Sequence, residues 1–258
     1  MAEKLWYLKR CNLFERLPFE ELTALEARSR CRRFASSEVI YLPSSQAQAV
    51  LALVEGRVKI CHTTPEGKQS ILAFIEPGEV FGEMCLFSQS DREELAIATE
   101  ASTVILIPRE MLQATIERHA ELALGITRLV GFRRQRIERR LKYLLFRSNR
   151  ERLVNLLLEL CETYGTAIEN GVQIRLKLSH QDLASLIGST RETVTATLGE
   201  LQTEGLIALG RQKITILSAL ALRQSVSEPP RTIPLGRVDA LDVNPKPSKI
   251  SGVVKHGH

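Results

Sequence analysis

This chain has no run of eighteen or more apolar residues, so no membrane-spanning helix is expected. Its N-terminus, MAEKLWYLKRCNLF, lacks the uninterrupted apolar core of a secretory signal, and a cytoplasmic location is expected. Close cysteine pairs are missing too. Cys11, Cys31, Cys61, Cys85 and Cys161 are scattered and never spaced C-x-x-C, which argues against a disulfide framework. No nucleophile elbow, phosphate-binding loop or metal-binding His pair occurs, so nothing marks an enzyme and no cofactor is required. What remains is a chain of 258 residues, 44% hydrophobic and 25% charged, long enough for one large or two ordinary folded domains. Its net charge of +5 is mild but unevenly placed, which matters for a polyanionic partner.

From Lys4 to about Ser29 the apolar residues fall at helical spacing, as in Leu5, Trp6 and Leu8, then Leu22 and Leu25. The period then shortens to two. VLALVEGRVKICHTTPEGKQSILAFIEPGEVFGE alternates in short runs punctuated by Glu55-Gly56, Pro65-Glu66-Gly67 and Pro77-Gly78, turn signals suited to an antiparallel unit. LAIAT and TVILI add a strand pair, and Pro108 sits where a helix would start. The first unit reads as a small β-roll or barrel flanked by helices.

From Met111 to about Arg147 no proline interrupts, and the pattern predicts one long helix. Leu122, Ile126, Leu129, Ile137, Leu141 and Leu144 recur at threes and fours, with Arg133 breaking the seam. Such a stripe buries against a partner helix or packs on its own β unit, and a symmetric dimer is the favoured reading. Arg133, Arg134, Arg136, Arg139, Arg140, Lys142, Arg147, Arg150 and Arg152 face only Glu138 and Glu151 in sequence, and this excess favours a phosphate-facing surface over a merely solvated one.

The segment LSHQDLASLIGSTRETVTATLGELQTEGLI follows. Ser179 is an N-cap with Asp182 three residues on, Leu183, Leu186 and Ile187 form an inner face, and Gly188 ends the helix. A second helix starts near Ser189 or Thr190 and turns Val194, Leu198 and Leu201 inward. Glu192, Thr195, Ala196 and Gly199 fall on the opposite side, flanked by Arg191, giving a face polar at its tip and small in its middle. Such a helix fits the major groove of DNA, where Arg pairs with guanine and a carboxylate accepts from cytosine. Ser189 and Glu192 also have capping-box spacing, which leaves a purely structural role open for that pair. LIALGRQKITIL alternates on either side of a basic tip and reads as a hairpin. Helix, glycine turn, helix and basic hairpin together describe a winged helix-turn-helix.

These residues resemble the DNA-binding domain of the cyclic-AMP receptor protein and FNR superfamily, especially its cyanobacterial nitrogen-regulator branch, which shares the IGSTR stretch followed by TVT. VEGRVKI, PEGK, EPGEVFGEMCLF and ILIPRE are similar in order and spacing to that superfamily's nucleotide-binding β-roll, so the resemblance runs from about Leu5 to Leu222. It implies an α+β fold with a cyclic-nucleotide-binding-like β-roll, a long dimerisation helix and a C-terminal winged helix-turn-helix. The corresponding divisions are 1–110, 111–147 and 148–223. From Gln224 the pattern stops, and 224–258 is expected to be a disordered tail rich in proline.

Position by position, the resemblance implies base reading by Arg191 and Glu192, and phosphate contacts by Ser179, Gln181, Thr190 and Thr193. Thr195 lies on the same outward face, and Arg211 and Lys213 supply the basic tip. The family's third base-reading position is Ala196, which implies loose reading of that base pair or apolar contact with a thymine methyl. In the roll, Gly82 and Glu83 match the phosphate-loop glycine and the ribose-binding glutamate. Where cyclic-nucleotide binders carry Arg-Ser, this chain has SDREEL, with Glu93 and Glu94 in an ungapped register and Arg92 reachable by a one-residue shift. Carboxylates there repel a phosphate, so the effector is expected not to be cyclic AMP. An iron-sulfur cluster on Cys11, Cys31, Cys61 and Cys85, or a haem or metal at His62, is a rival to ordinary thiols and a surface histidine; strand alternation turns Cys61 away from the roll interior. The expected partners are double-stranded DNA, a second copy of the chain, an unidentified small-molecule effector and, by resemblance, RNA polymerase. An effector-independent regulator with a merely structural roll is the alternative.

Overall fold

The computed structural model describes residues 5, 7–9, 11–65, 67, 69–88 and 90–226. From residue 227 onward the expected tail lies outside them. Helix α1 (Phe19–Arg28) buries Leu22 and Leu25. Eight strands follow: β1 (Arg30–Phe34), β2 (Val39–Tyr41), β3 (Ala49–Glu55), β4 (Val58–Thr63), β5 (Gln69–Ile75), β6 (Val80–Phe81), β7 (Leu95–Ala98) and β8 (Ser102–Pro108). They form two four-stranded antiparallel sheets, ordered β1-β8-β3-β6 and β2-β7-β4-β5. Phe34, Leu53, Val58, Ile75, Phe81 and Val104 fill the space between them. This is the roll that the period-two runs predict.

The single helix expected from Met111 to Arg147 is instead two, α2 (Arg109–Arg118) and α3 (Ala120–Phe146). The chain breaks at His119, with φ −128° and ψ 91°. No proline or glycine marks this break, and tertiary contacts meet the chain there. Arg118 and His119 both reach Glu21 on α1, at 2.9 Å and 3.5 Å, and α2 buries Leu112 and Thr115 against the roll. The apolar stripe of α3 then divides. Leu122 and Ile126 pack into the core beneath α1 and α2, whereas Ile137, Leu141 and Leu144 are exposed.

Helix α4 (Asn149–Tyr164) begins at a capping box between Ser148 and Glu151 and supplies Leu153, Leu157 and Leu160 to the core of the C-terminal unit. After it come β9 (Gly165–Ile168), β10 (Gly171–Ile174), α5 (His180–Ile187), α6 (Arg191–Thr203), β11 (Ile207–Gly210), β12 (Lys213–Ile216) and α7 (Ala219–Gln224). The strands form a sheet ordered β11-β12-β10-β9. β11 and β12 are the hairpin read from LIALGRQKITIL, turning at Arg211 and Gln212.

The outer face of the roll's second sheet packs on this unit, with Cys61, Ile71, Phe74 and Leu95 joining the same core as Leu157 and Leu183. A register shift between Ile60 and Cys61 helps turn adjacent residues into different cores. Cys61 does point away from the roll interior, as alternation requires, yet it is fully buried because the C-terminal unit covers it. Lys59 pairs with Asp182 at 3.2 Å across this junction, and Ser70 Oγ donates to the Ser185 carbonyl at 3.2 Å. Among the described residues, no helix is long and apolar enough to cross a membrane.

Candidate nucleic-acid interface and effector pocket

Helices α5 and α6 cross over a shared apolar floor of Leu183, Ile187, Val194, Leu198 and Leu201, all buried. Their hinge is Gly188, at φ 63° and ψ 48°, a left-handed conformation that glycine adopts without the steric cost of a side chain. A Cβ there would also come within 2.8 Å of Leu144 Cδ2. Ser179 caps α5 in a capping box with Asp182, and Thr190 caps α6 by accepting from the Thr193 N–H at 3.2 Å. Because Thr190, not Ser189, holds that cap, the Ser189–Glu192 capping box is not formed.

With its floor buried, α6 turns Arg191, Glu192, Thr195, Ala196 and Gly199 to solvent, as the helical wheel predicts. Gln181, Thr190, Arg211 and Lys213 are exposed, while Thr193 is half-buried beside Thr190, with 3.0 Å between their hydroxyls. Ser179 is exposed but committed: its hydroxyl donates to Asp182 Oδ2 at 2.6 Å and accepts from the Asp182 N–H at 3.1 Å. Burial pushes the Asp182 carboxyl up, but hydrogen bonds from Ser179 and the nearby Lys59 ammonium hold it below its ordinary value. A cavity of about 410 Å³ opens between the start of α6 and the β11–β12 hairpin, with Gln181, Arg191 and Lys213 on its wall. His180, which sequence reasoning did not single out, lies there too, its Nδ1 2.8 Å from Thr195 Oγ1. A contact across fifteen residues leaves no spacing signal.

The basic run from Arg133 to Arg152 divides: Arg134, Arg139 and Lys142 are exposed, whereas several others are held by partners within the chain. Arg136 donates to Glu159 at 3.1 Å, and Arg140 donates to the Ile71 and Leu72 carbonyls at 3.0 Å and 2.8 Å. Arg147 pairs with Glu151, Arg150 with Glu204, and Arg152 with the Ile187 carbonyl. These cations satisfy carboxylates and helix or strand ends of the chain itself.

In the roll, Gly82 precedes one turn of 3-10 helix (Glu83–Leu86) at φ 68°. The positive φ favours glycine, and a Cβ there would lie 2.5 Å from Arg92 Nη1. Arg92 sends its guanidinium inward, donating to the carbonyls of Ala49 at 2.6 Å and Gly82 at 3.4 Å, over the Tyr41 ring at 4.1 Å. The structure thus places Arg92 and Glu94 beside Tyr41 and leaves Glu93 exposed. Glu83 is buried and pairs with Arg133 of α3 at 2.5 Å, while the same guanidinium donates to the Val80 carbonyl. Burial, and then the charge of Glu83, keeps the Glu94 carboxyl above its ordinary range, with the Tyr41 hydroxyl 3.5 Å away. A cyclic phosphate needs an available cation and a free ribose acceptor here. Glu83 is taken up by Arg133, Arg92 spends two of its donors on backbone carbonyls, and Glu94 adds a carboxylate, an arrangement that disfavours a cyclic phosphate.

The cysteines do not converge. Cys11, Cys61 and Cys85 are buried and Cys31 is exposed. Burial pushes the thiols of Cys11 and Cys61 up to about 11, and raises that of Cys85, which disfavours the thiolate that binds metals. Among the described residues, no group of three or more His, Cys, Asp or Glu side chains can hold a metal ion. His62 is exposed on β4.

Comparison with known proteins matches residues 31–119 to the cyclic nucleotide-binding domain and residues 151–225 to the Crp-like helix-turn-helix domain. A global nitrogen regulator of Synechococcus elongatus is 34% identical over 211 residues, covering 81% of this chain and 95% of that protein. A cyclic AMP receptor protein of Thermus thermophilus is 29% identical over 217 residues, covering 84% and 97%. Among solved structures, the c-di-GMP responsive global regulator CLP of Xanthomonas campestris superposes with a TM-score of 0.70 at 24% identity, over 78% of this chain and 100% of that one, and shares the fold.

Proposed function

Since this chain belongs to the Crp/Fnr family of transcriptional regulators, with a cyclic-nucleotide-binding domain and a Crp-like helix-turn-helix, we propose that it acts as a homodimer on double-stranded DNA with inverted half-sites. The observation that carries this reading is the exposed Arg191–Glu192 pair at the N-terminus of α6, freed from capping by Thr190. Arg191 pairs with guanine, Glu192 accepts from cytosine, and Ala196 meets a thymine methyl or leaves that base pair loosely read. Gln181, Thr190 and Thr193, with Arg211 and Lys213 of the wing, hold phosphates, and Ser179 contributes through the α5 cap that it maintains.

Residues 1–110 serve as sensor, 111–147 as dimer region with the contact on the exposed half of α3, and 148–223 as DNA reader. No role is assigned to 224–258. The protein works in the cytoplasm, contacts RNA polymerase as family membership suggests, and is no enzyme. Its effector enters at Gly82, Glu83, Arg92 and Glu94 and is not cyclic AMP. Glu93, exposed, takes no part. The Glu83–Arg133 ion pair also supports a second reading, in which the roll is latched by its own residues and regulation needs no effector. DNA affinity that stays the same with and without the small-molecule fraction of a cell extract favours that second reading.

Arg191→Ala and Glu192→Ala test the base-reading assignment by fluorescence anisotropy on a duplex selected from a random pool by the wild-type protein. Each is expected to cost about 1–3 kcal/mol per half-site and to relax preference at one base pair. Unchanged affinity and preference in both variants would overturn the assignment.

A further inference from the structure

We propose that DNA binding by this chain takes up a proton at His180, which becomes a doubly hydrogen-bonded imidazolium between Thr195 and a backbone phosphate. The inference rests on the DNA-binding reading above. His180 opens α5 directly after the Ser179 cap and shares a cavity with Gln181, Arg191 and Lys213. Its Nδ1 is 2.8 Å from Thr195 Oγ1, and that hydroxyl donates in turn to the Arg191 carbonyl at 2.8 Å.

A threonine hydroxyl has one hydrogen and two lone pairs. When the hydrogen is directed to Arg191, the oxygen faces His180 as an acceptor, and Nδ1 then carries the hydrogen between them. A neutral imidazole carries only one, which leaves Nε2 as a bare acceptor. A phosphate also offers only acceptors, and the two repel. One proton from solvent on the Nε2 lone pair resolves this: Nδ1–H remains on Thr195 and Nε2–H donates to the phosphate as a charge-assisted bond. No covalent bond breaks, and the balance is one proton per occupied half-site.

The charged groups around His180 favour this coupling. Arg191 of α6 and Lys213 of β12 line the same cavity, and Asp182 on α5 is occupied by Ser179 and Lys59. A third positive charge among these cations is best accommodated when phosphate oxygens arrive with it. Histidine is the side chain type whose charge can change between pH 5 and 8.

The test uses the full-length chain and a duplex selected by it from a random pool. Calorimetric titration at pH 7 in two buffers of different ionisation enthalpy counts protons, and anisotropy gives Kd from pH 6 to 8 at constant ionic strength. Net proton uptake is expected, with affinity falling about tenfold or more as pH rises across that range. His180→Gln abolishes the His180 share of both effects; His180→Arg binds with little pH dependence; Thr195→Val, which keeps the shape without the acceptor, reduces uptake. Zero uptake by the wild type, or uptake unchanged in both His180 variants, overturns the proposal while leaving DNA binding intact. Failure of the wild type to enrich any duplex instead removes the reading on which the proposal rests.

Discussion

Asp182 accepts from the hydroxyl and the N–H of Ser179 at 2.6 Å and 3.0 Å, and from the Lys59 ammonium at 3.2 Å. These donors outweigh its desolvation and hold its pKa below the ordinary value. A carboxyl depressed in the fold binds fewer protons folded than unfolded, so its stabilisation is present above the unfolded pKa and is lost as pH falls through the folded one. Asp182→Asn is therefore expected to melt below wild type at pH 7, by about 2–4 °C if about 1 kcal/mol of capping is lost. The gap closes toward pH 2, where the wild-type carboxyl is protonated too. A constant gap across that range, measured by thermal unfolding, contradicts the linkage. The Ser179–Asp182 box is legible in sequence because its members stand three apart. Lys59 is 123 residues away, and nothing in the spacing could foretell it. The same holds for Arg140, whose carbonyl partner Ile71 lies 69 residues off.

At the scale of elements, α5, Gly188, α6 and the β11–β12 hairpin are legible because caps, a left-handed glycine and period-two alternation are local signals. The α2–α3 break is not, since no proline or glycine marks it; contacts of Arg118 and His119 with Glu21 meet it instead. Helix α3 presents a different case. Its stripe is visible in sequence, but only the structure shows that Leu122 and Ile126 are covered while Leu141 remains 53% exposed. In the proposed homodimer that exposed half meets its copy. Fully burying a leucine contributes about 1.5–3 kcal/mol; Leu141 is already about half covered, so Leu141→Asp removes roughly half of that from each protomer and adds the cost of desolvating a carboxylate. The variant is expected to elute as a folded monomer in light-scattering chromatography at concentrations where the wild type is dimeric. A wild-type monomer, or a variant whose dimer is undiminished, contradicts the assignment of this face.

Across the whole molecule, the roll and the helix-turn-helix share α3. Arg133 ties the pocket to it through Glu83, Arg140 ties it to β5, and Leu144 abuts the Gly188 hinge. In the proposed regulation, a ligand that changes the partner of Glu83 would act on the same helix that abuts the helix-turn-helix, shifting the population of binding-competent arrangements. Sequence resemblance led to this pocket, but its self-pairing by Arg92 and Arg133 is a property of tertiary structure alone.

The central claim is that two copies of this chain read one DNA site through α6. Selection of duplexes from a random pool by the full-length protein, followed by sequencing of the bound fraction, tests it most directly. The account predicts an inverted repeat with half-site centres about 10–10.5 base pairs apart, or a multiple of one turn, in which a guanine and a cytosine preference disappear with Arg191→Ala and Glu192→Ala. Enrichment of a single unrepeated motif, or of no motif at all, would contradict it.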